Sequence, residues 1–183
     1  MFPLSQPMPK PISLTARRRR VKLFLTDVDG VMTDGTVIMG PGLELKRYDI
    51  QDGLGLVMLR RNGIKVGWVS ARPSAATRAR AEDLKIDFLA QPTDGKVAAV
   101  EQILAQCGLT WSEACFVGDD VVDIGVFRRV GLAVAVANAR PEARAAAHVI
   151  TRAAGGHGAV REITDQILKA QGKWRTTLAL FGK

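Results

Sequence analysis

The sequence predicts an α/β fold: a single three-layer domain in which helices cover both faces of a central parallel sheet. Three observations carry that reading. Short apolar runs alternate with longer helix-like segments along most of the chain. The runs are apolar throughout rather than at every second residue, as strands buried on both faces are. And 183 residues suit one domain with a sizeable core. The expected topology is Rossmann-like, with a β-hairpin inserted after the first strand.

The first strand is VKLFLTD, residues 21–27, a short apolar run. TVIMGPGLELKRYDI follows, two β-prone runs about Gly40-Pro41-Gly42, which marks a hairpin over residues 36–49. DGLGLVMLRRNG starts at a candidate cap, Asp52, and stops at Asn62-Gly63, as a helix does. IKVGWVS is the second long apolar strand, with Trp68 expected in the core. PSAATRARAEDLK reads as a helix with proline near its start. IDFLA is strand-like, and KVAAVEQILAQCG is a helix ending in glycine. The alternation continues with ACFVGD (strand), VVDIGVFRRVG (helix), LAVAVA (strand), PEARAAA (helix), HVIT (strand) and GAVREITDQILKAQG (helix). His148, at the start of HVIT, reads as structural. WRTTLALF, beyond the last helix, suggests either a loose tail or packing against a neighbour. The domain is therefore expected over residues 21–170, between a disordered basic tail, 1–20, and a C-terminal tail, 171–183.

Composition excludes several classes. The formal charge is +8, but its placement argues against a nucleic-acid-binding face. Of the 26 basic residues, five precede residue 21 and four follow residue 168; the other 17 face all 18 acidic residues. No apolar run reaches the ~18 residues of a transmembrane helix. The first twenty residues hold four prolines and an arginine run, with no continuous apolar segment, and do not read as a secretory signal. Cys107 and Cys115 have no metal-site spacing. They read as reduced thiols of a cytoplasmic protein.

Three acids, Asp27, Asp29 and Asp34, lie within eight residues where the first strand ends. Carboxylates there are costly unless something binds them. In parallel α/β sheets ligands bind at the carboxyl ends of the strands. Read at those ends, the sequence brings together Asp27 and Asp29, the hydroxyl of Ser70 in VSAR, Lys96 at a helix start, and Asp119 with Asp120 and Asp123. Carboxylates so clustered repel unless a cation lies between them. Oxygen-only ligands point to a hard cation, and Mg²⁺ also takes substrate phosphate oxygens. Lys96, Ser70 and the backbone at Asp29-Gly30 suit a phosphate. The aspartate nearest the metal can act as nucleophile, and Asp29, one residue on across Val28, can protonate a leaving alkoxide.

The ordered set DVDG…S…K…GDDxxD resembles the haloacid dehalogenase superfamily of phosphatases and phosphotransferases, over about residues 21–170. The resemblance implies Asp27 as nucleophile, Asp29 as acid/base, and Ser70 and Lys96 as the second- and third-motif residues. It implies Mg²⁺ held by Asp27, the Asp29 carbonyl and Asp119, with Asp120 and Asp123 in support. Only 42 residues separate Asp27 from Ser70, and 25 separate Ser70 from Lys96; neither gap holds a cap domain. DVDGVMTDG, YDIQDGLG and GGHGAVREITDQIL look like the capless 3-deoxy-D-manno-octulosonate 8-phosphate phosphatase subfamily. That likeness implies lipopolysaccharide biosynthesis and a homo-oligomer, a tetramer, meeting through hairpin 36–49. The related sialic-acid and nine-carbon sugar-acid phosphatases are the alternative, and a non-catalytic phosphatase fold is the competing class. Three departures stand out: Ser70-Ala71-Arg72 where the subfamily has Thr-Gly-Arg, Pro92 in place of glycine, and His157 in place of an arginine. Arg72 and His157 are the candidate cations for the sugar-acid carboxylate.

Overall fold

The computed structural model describes residues 12–93 and 95–182. Its centre is a six-stranded, wholly parallel sheet. The strands are β1 (Leu23–Thr26), β4 (Lys65–Val69), β5 (Phe88–Ala90), β6 (Ala114–Gly118), β7 (Leu132–Ala135) and β8 (Val149–Ile150). Their order is β5-β4-β1-β6-β7-β8. β1 therefore lies at the middle, with Thr26 opposite Trp68 on one side and Val117 on the other. All four residues of β1 and all five of β6 are buried, which is why both read as unbroken apolar runs.

The hairpin is β2 (Ile38–Gly40) and β3 (Leu43–Leu45), a separate two-stranded sheet. Helices α1 (Leu14–Arg20), α2 (Ile50–Arg61), α3 (Ala75–Asp83), α4 (Lys96–Cys107), α5 (Ile124–Phe127), α6 (Pro141–Ala146), α7 (Ala159–Ala170) and α8 (Trp174–Phe181) complete the chain. Right-handed crossovers place α2 and α3, which lead outward from β1 to β5, on one face; α4 to α6, which serve the return to β6 and on to β8, take the other. Packing agrees: α2 meets α7, α7 meets α1 and α8, and α4 meets α5, which meets α6. Trp68 is fully buried and stacks on Tyr48, ring centroids 6.1 Å apart. His148 Nδ1 accepts the Ala133 N–H at 2.9 Å, a structural role as expected.

Four local features differ from the sequence reading. The described part of the expected N-terminal tail is ordered: Ser13 caps α1, and its arginines reach back onto carbonyl groups. Arg17 donates to Gly131 O at 2.6 Å, and Arg19 to Ala170 O at the end of α7, where a cation meets the negative end of the helix dipole. Residues 1–11 of that expected tail lie outside the described residues. At the other end WRTTLALF is a helix docked on its own chain. Asn62 Nδ2 donates to Thr177 Oγ1 at 2.9 Å, and Arg61 covers the Phe181 ring. Asp49, not Asp52, caps α2. Asp52 is buried one turn in and accepts the Gly158 and Arg161 N–H groups at the start of α7. VVDIGVFRRVG forms a 3₁₀ turn, Val121–Asp123, and only four residues of α-helix, because Gly131 N–H already bonds to Trp111 O and starts β7.

Candidate active site

Asp27 leaves the end of β1 while its N–H still bonds to Val117 O at 2.9 Å, so the sheet fixes where its carboxylate emerges. Its Oδ1 accepts the Val28 N–H at 2.6 Å. Its Oδ2 accepts from Lys96 Nζ at 2.5 Å. Lys96 opens α4 and is 2 % exposed. An ammonium buried there is costly unless paired, and it reaches a second carboxylate, Asp123 Oδ1, at 2.6 Å. Burial alone would lower the Lys96 pKa, but Asp27 and Asp123 outweigh it and the net displacement is upward. The ammonium is held charged.

Asp123 is fully buried, and its Oδ2 accepts the N–H groups of Asp119 and Asp120 at 2.9 and 3.2 Å. Oδ2 thus shapes the loop after β6, while Oδ1 holds Lys96. Asp120 Oδ1 takes the Val121 N–H at 2.6 Å. Asp119 differs: its Oδ1 is buried with no hydrogen-bond partner among the described residues. Gly30 lies against the same carboxylate. A Cβ on Gly30 would stand 2.2 Å from Asp119 Oδ2, and its φ of +86° is one that side chains rarely adopt. Gly155 makes a second close approach, where a Cβ would stand 1.8 Å from Gly30 O. The glycine-rich loop before α7 is thereby braced on the turn that carries Asp29 and Gly30.

Oxygens of Asp27, Asp119 and Asp123 all lie within 4.8 Å of one another. Burial raises the Asp27 carboxyl to about 6, with Lys96 opposing and Asp123 adding to the rise. Burial, then Asp27 and Asp123, raise Asp119 to about 7. A partnerless buried oxygen, oxygen-only donors and mutually repelling carboxylates fit a hard divalent cation such as Mg²⁺. Without it the cluster is a liability. Both folded-state values exceed the ordinary 3.8, so folding takes up protons and stability falls as pH rises from about 4 to about 7. In chelator at pH 8, Asp119→Asn should therefore be more stable than wild type, by about 1 kcal/mol or more, and the gap should close toward pH 4. Thermal melts at the two pH values test this; an Asp119→Asn protein that melts lower than wild type at pH 8 contradicts it.

Asp29 meets a residue that the sequence reading passed over. Its Oδ1 forms an ion pair with Lys46 Nζ at 2.6 Å, and the Lys46 side chain is 0 % exposed. Lys46 also donates to Thr77 Oγ1 at 3.0 Å. On the same face of the hairpin, Glu44 binds Arg72 at 2.7 Å and accepts from Ser74 Oγ. Thr33 was missed as well: its buried Oγ1 accepts the N–H groups of Gly30 and Gly35 and holds the turn closed.

Ser70 stands at the end of β4, beside β1, with its hydroxyl 3.4 Å from Arg72 O. The register thus brings Ser70, Asp27 and Asp119 to three adjacent strand ends. Arg72 is engaged with Glu44, as above. His157 is exposed; its Nδ1 donates to Gly155 O at 2.8 Å, and it lines a cleft of about 400 Å³ with Arg47, Tyr48 and Gly156.

Comparison with known proteins agrees with this architecture. Residues 89–163 match the model of the haloacid dehalogenase-like hydrolases. The chain is 40 % identical to the 3-deoxy-D-manno-octulosonate 8-phosphate phosphatase KdsC of Yersinia pestis, over 86 % of this chain and 84 % of that one. The phosphatase of the same name from Moraxella catarrhalis, solved with magnesium, phosphate and KDO, superposes with a TM-score of 0.88 at 36 % identity, covering 91 % of this chain and 97 % of the other. A cobalt-bound deoxy-D-mannose-octulosonate 8-phosphate phosphatase from Haemophilus influenzae gives 0.84 at 36 % identity, over 86 % and 93 %.

Proposed function

Because this chain belongs to the haloacid dehalogenase-like hydrolases, in the family of 3-deoxy-D-manno-octulosonate 8-phosphate phosphatases, we propose that it is a Mg²⁺-dependent phosphatase of that sugar-acid phosphate. The supporting observation is the cluster at the ends of β1 and β6: Asp27 paired with a buried Lys96, beside an Asp119 oxygen without a protein partner. In the proposed reaction an Asp27 oxygen bonds to phosphorus as the bond to the sugar 8-oxygen breaks, and Asp29 protonates the leaving alkoxide. Asp29 then takes a proton from water as that water attacks phosphorus and releases Asp27. Lys96, the Ser70 hydroxyl and the backbone N–H groups of the Asp29-Gly30 turn hold the phosphate oxygens. Asp27, Asp119 and the Asp29 carbonyl would hold the cation, with Asp120 and Asp123 shaping their loop. Bound there, Mg²⁺ supplies charge stabilisation to the transferring phosphoryl group.

Arg72 and His157 are the proposed partners of the sugar-acid carboxylate. Phosphate release from 3-deoxy-D-manno-octulosonate 8-phosphate, set against a nine-carbon sugar-acid 9-phosphate and neutral sugar phosphates, tests the reading. Preference for the first supports it. Equal turnover of the neutral sugar phosphates overturns carboxylate recognition, and preference for the second changes the substrate.

We also propose a homo-oligomer, a tetramer, meeting through the hairpin. Ile38, Met39, Leu43 and Leu45 are 48–66 % exposed, and a two-stranded sheet this apolar needs cover. Ile38→Asp with Met39→Asp should give a smaller species by light scattering. A wild type that is already monomeric at micromolar concentration refutes the assembly. Among the described residues no helix is long and apolar enough to cross a membrane, and the thiols of Cys107 and Cys115 are unpaired, in keeping with the cytoplasmic placement we propose.

A further inference from the structure

We propose that Lys46 is a positioning residue for the acid/base carboxylate, fixing one oxygen of Asp29 so that the other is left to carry the proton. The proposal rests on the reading of Asp29 given above. Lys46 follows β3, and its side chain is wholly buried although the hairpin around it is open to solvent. Removing a lysine side chain from water is unfavourable unless geometry repays it. Here the partners are Asp29 Oδ1 at 2.6 Å and Thr77 Oγ1 at 3.0 Å. Thr77 is itself buried and lies on α3. The ammonium is thus anchored by a group that takes no part in the chemistry.

The consequence for Asp29 is asymmetric. Oδ1 makes the 2.6 Å ion-pair contact with the ammonium; both carboxylate oxygens are buried, and neither makes a hydrogen bond among the described residues. A carboxylate free to rotate would present either oxygen; one held at Oδ1 presents Oδ2 alone. The next residue adds a second brace: Arg47 pairs with Asp34 at 2.9 Å. Consecutive hairpin residues therefore grip both ends of the turn that runs from Asp29 to Asp34. Proton delivery tolerates little misplacement, and this grip supplies the alignment.

A simple buried staple would lower stability or activity without regard to substrate. A group that aligns the general acid matters most when the leaving group needs a proton. The test is the kcat/KM ratio, which reports the leaving-group step, between an alkyl phosphate (3-deoxy-D-manno-octulosonate 8-phosphate) and p-nitrophenyl phosphate, whose nitrophenolate departs unprotonated. Both are measured with Mg²⁺ on wild type, Lys46→Met, Lys46→Arg and Asp29→Asn. The expected result is a fall of about tenfold or more in the alkyl-to-aryl ratio for Lys46→Met, in the same direction as Asp29→Asn, and partial recovery in Lys46→Arg. If Asp29→Asn shifts the ratio and folded Lys46→Met does not, the positioning role is overturned. If Asp29→Asn leaves the ratio unchanged, the acid/base reading fails instead. Should Lys46→Met not fold, Thr77→Val frees the ammonium while keeping the charge. A selective alkyl loss there supports the proposal, and an unchanged ratio rejects it.

Discussion

Asp27→Asn should abolish phosphate release, and Asp29→Asn should slow it by at least the ~10²-fold typical of lost general acid catalysis. The two differ in kind. Asn at 27 keeps the shape, and it keeps an oxygen for the Val28 N–H contact that Asp27 Oδ1 makes, but an amide is no nucleophile toward phosphorus. It also leaves Lys96 with one carboxylate, Asp123, in place of two. Asn at 29 cannot donate an acidic proton, yet the nucleophile and phosphate ligands stay in place. Rapid-quench assays with ³²P-labelled substrate separate the cases: Asp29→Asn should still accumulate covalent phosphoprotein, and Asp27→Asn should give none. Full turnover by Asp27→Asn would end the aspartyl-phosphate reading.

Exhaustive chelation should silence the enzyme, with Mg²⁺ restoring it, and Asp119→Asn should lose about 10²-fold or more in kcat even at high Mg²⁺. Four carboxylates, Asp27, Asp29, Asp119 and Asp123, face two buried ammonium groups, Lys96 and Lys46. That imbalance disfavours entry of a phosphate dianion until a divalent cation offsets it. Asp119 is the member whose buried Oδ1 has no protein partner, so its loss removes ligand rather than scaffold. Titration of Mg²⁺ against activity and against thermal stability should show weakened binding in Asp119→Asn by both measures. Activity that survives chelation unchanged would remove the cation from the mechanism.

Much of the site was legible because a parallel sheet turns strand order into geometry. LFLT and ACFVG read as buried strands from apolar continuity alone, and the acids that close them had to sit at a ligand-binding edge. Lys96 was readable as the first residue of a helix; that it bridges Asp27 and Asp123 was not. Lys46 escaped for a different reason. Leu43, Glu44, Leu45 and Lys46 alternate, so two faces were evident, but alternation does not say which face is inside. Convention puts leucine inward. Here the leucines are exposed while Glu44 and Lys46 turn toward the site. Asp52 shows the same limit for helices: an acid near a helix start suggests that helix's cap, whereas it serves the start of another helix more than a hundred residues on. The arginine run was read by charge, but its guanidinium groups find carbonyl partners that only the folded chain supplies.

The central place of β1 has a consequence for how the chain acquires its shape during synthesis. Leu23–Thr26 leaves the ribosome before both of its lateral partners, Lys65–Val69 and Ala114–Gly118. Until the second of these is made, a strand destined to be fully buried has one edge open, and before the first it has two. Long-range parallel pairing of this kind is slow and exposed to misassociation. A fragment ending before Ala114 should therefore collect in insoluble form rather than as a stable half-domain. The loop bearing Asp27 cannot take its final course in such a fragment, since the Asp27 N–H needs Val117 O. Catalytic competence thus waits on β6, and any delay in translation before it lengthens the interval in which the future centre stays exposed.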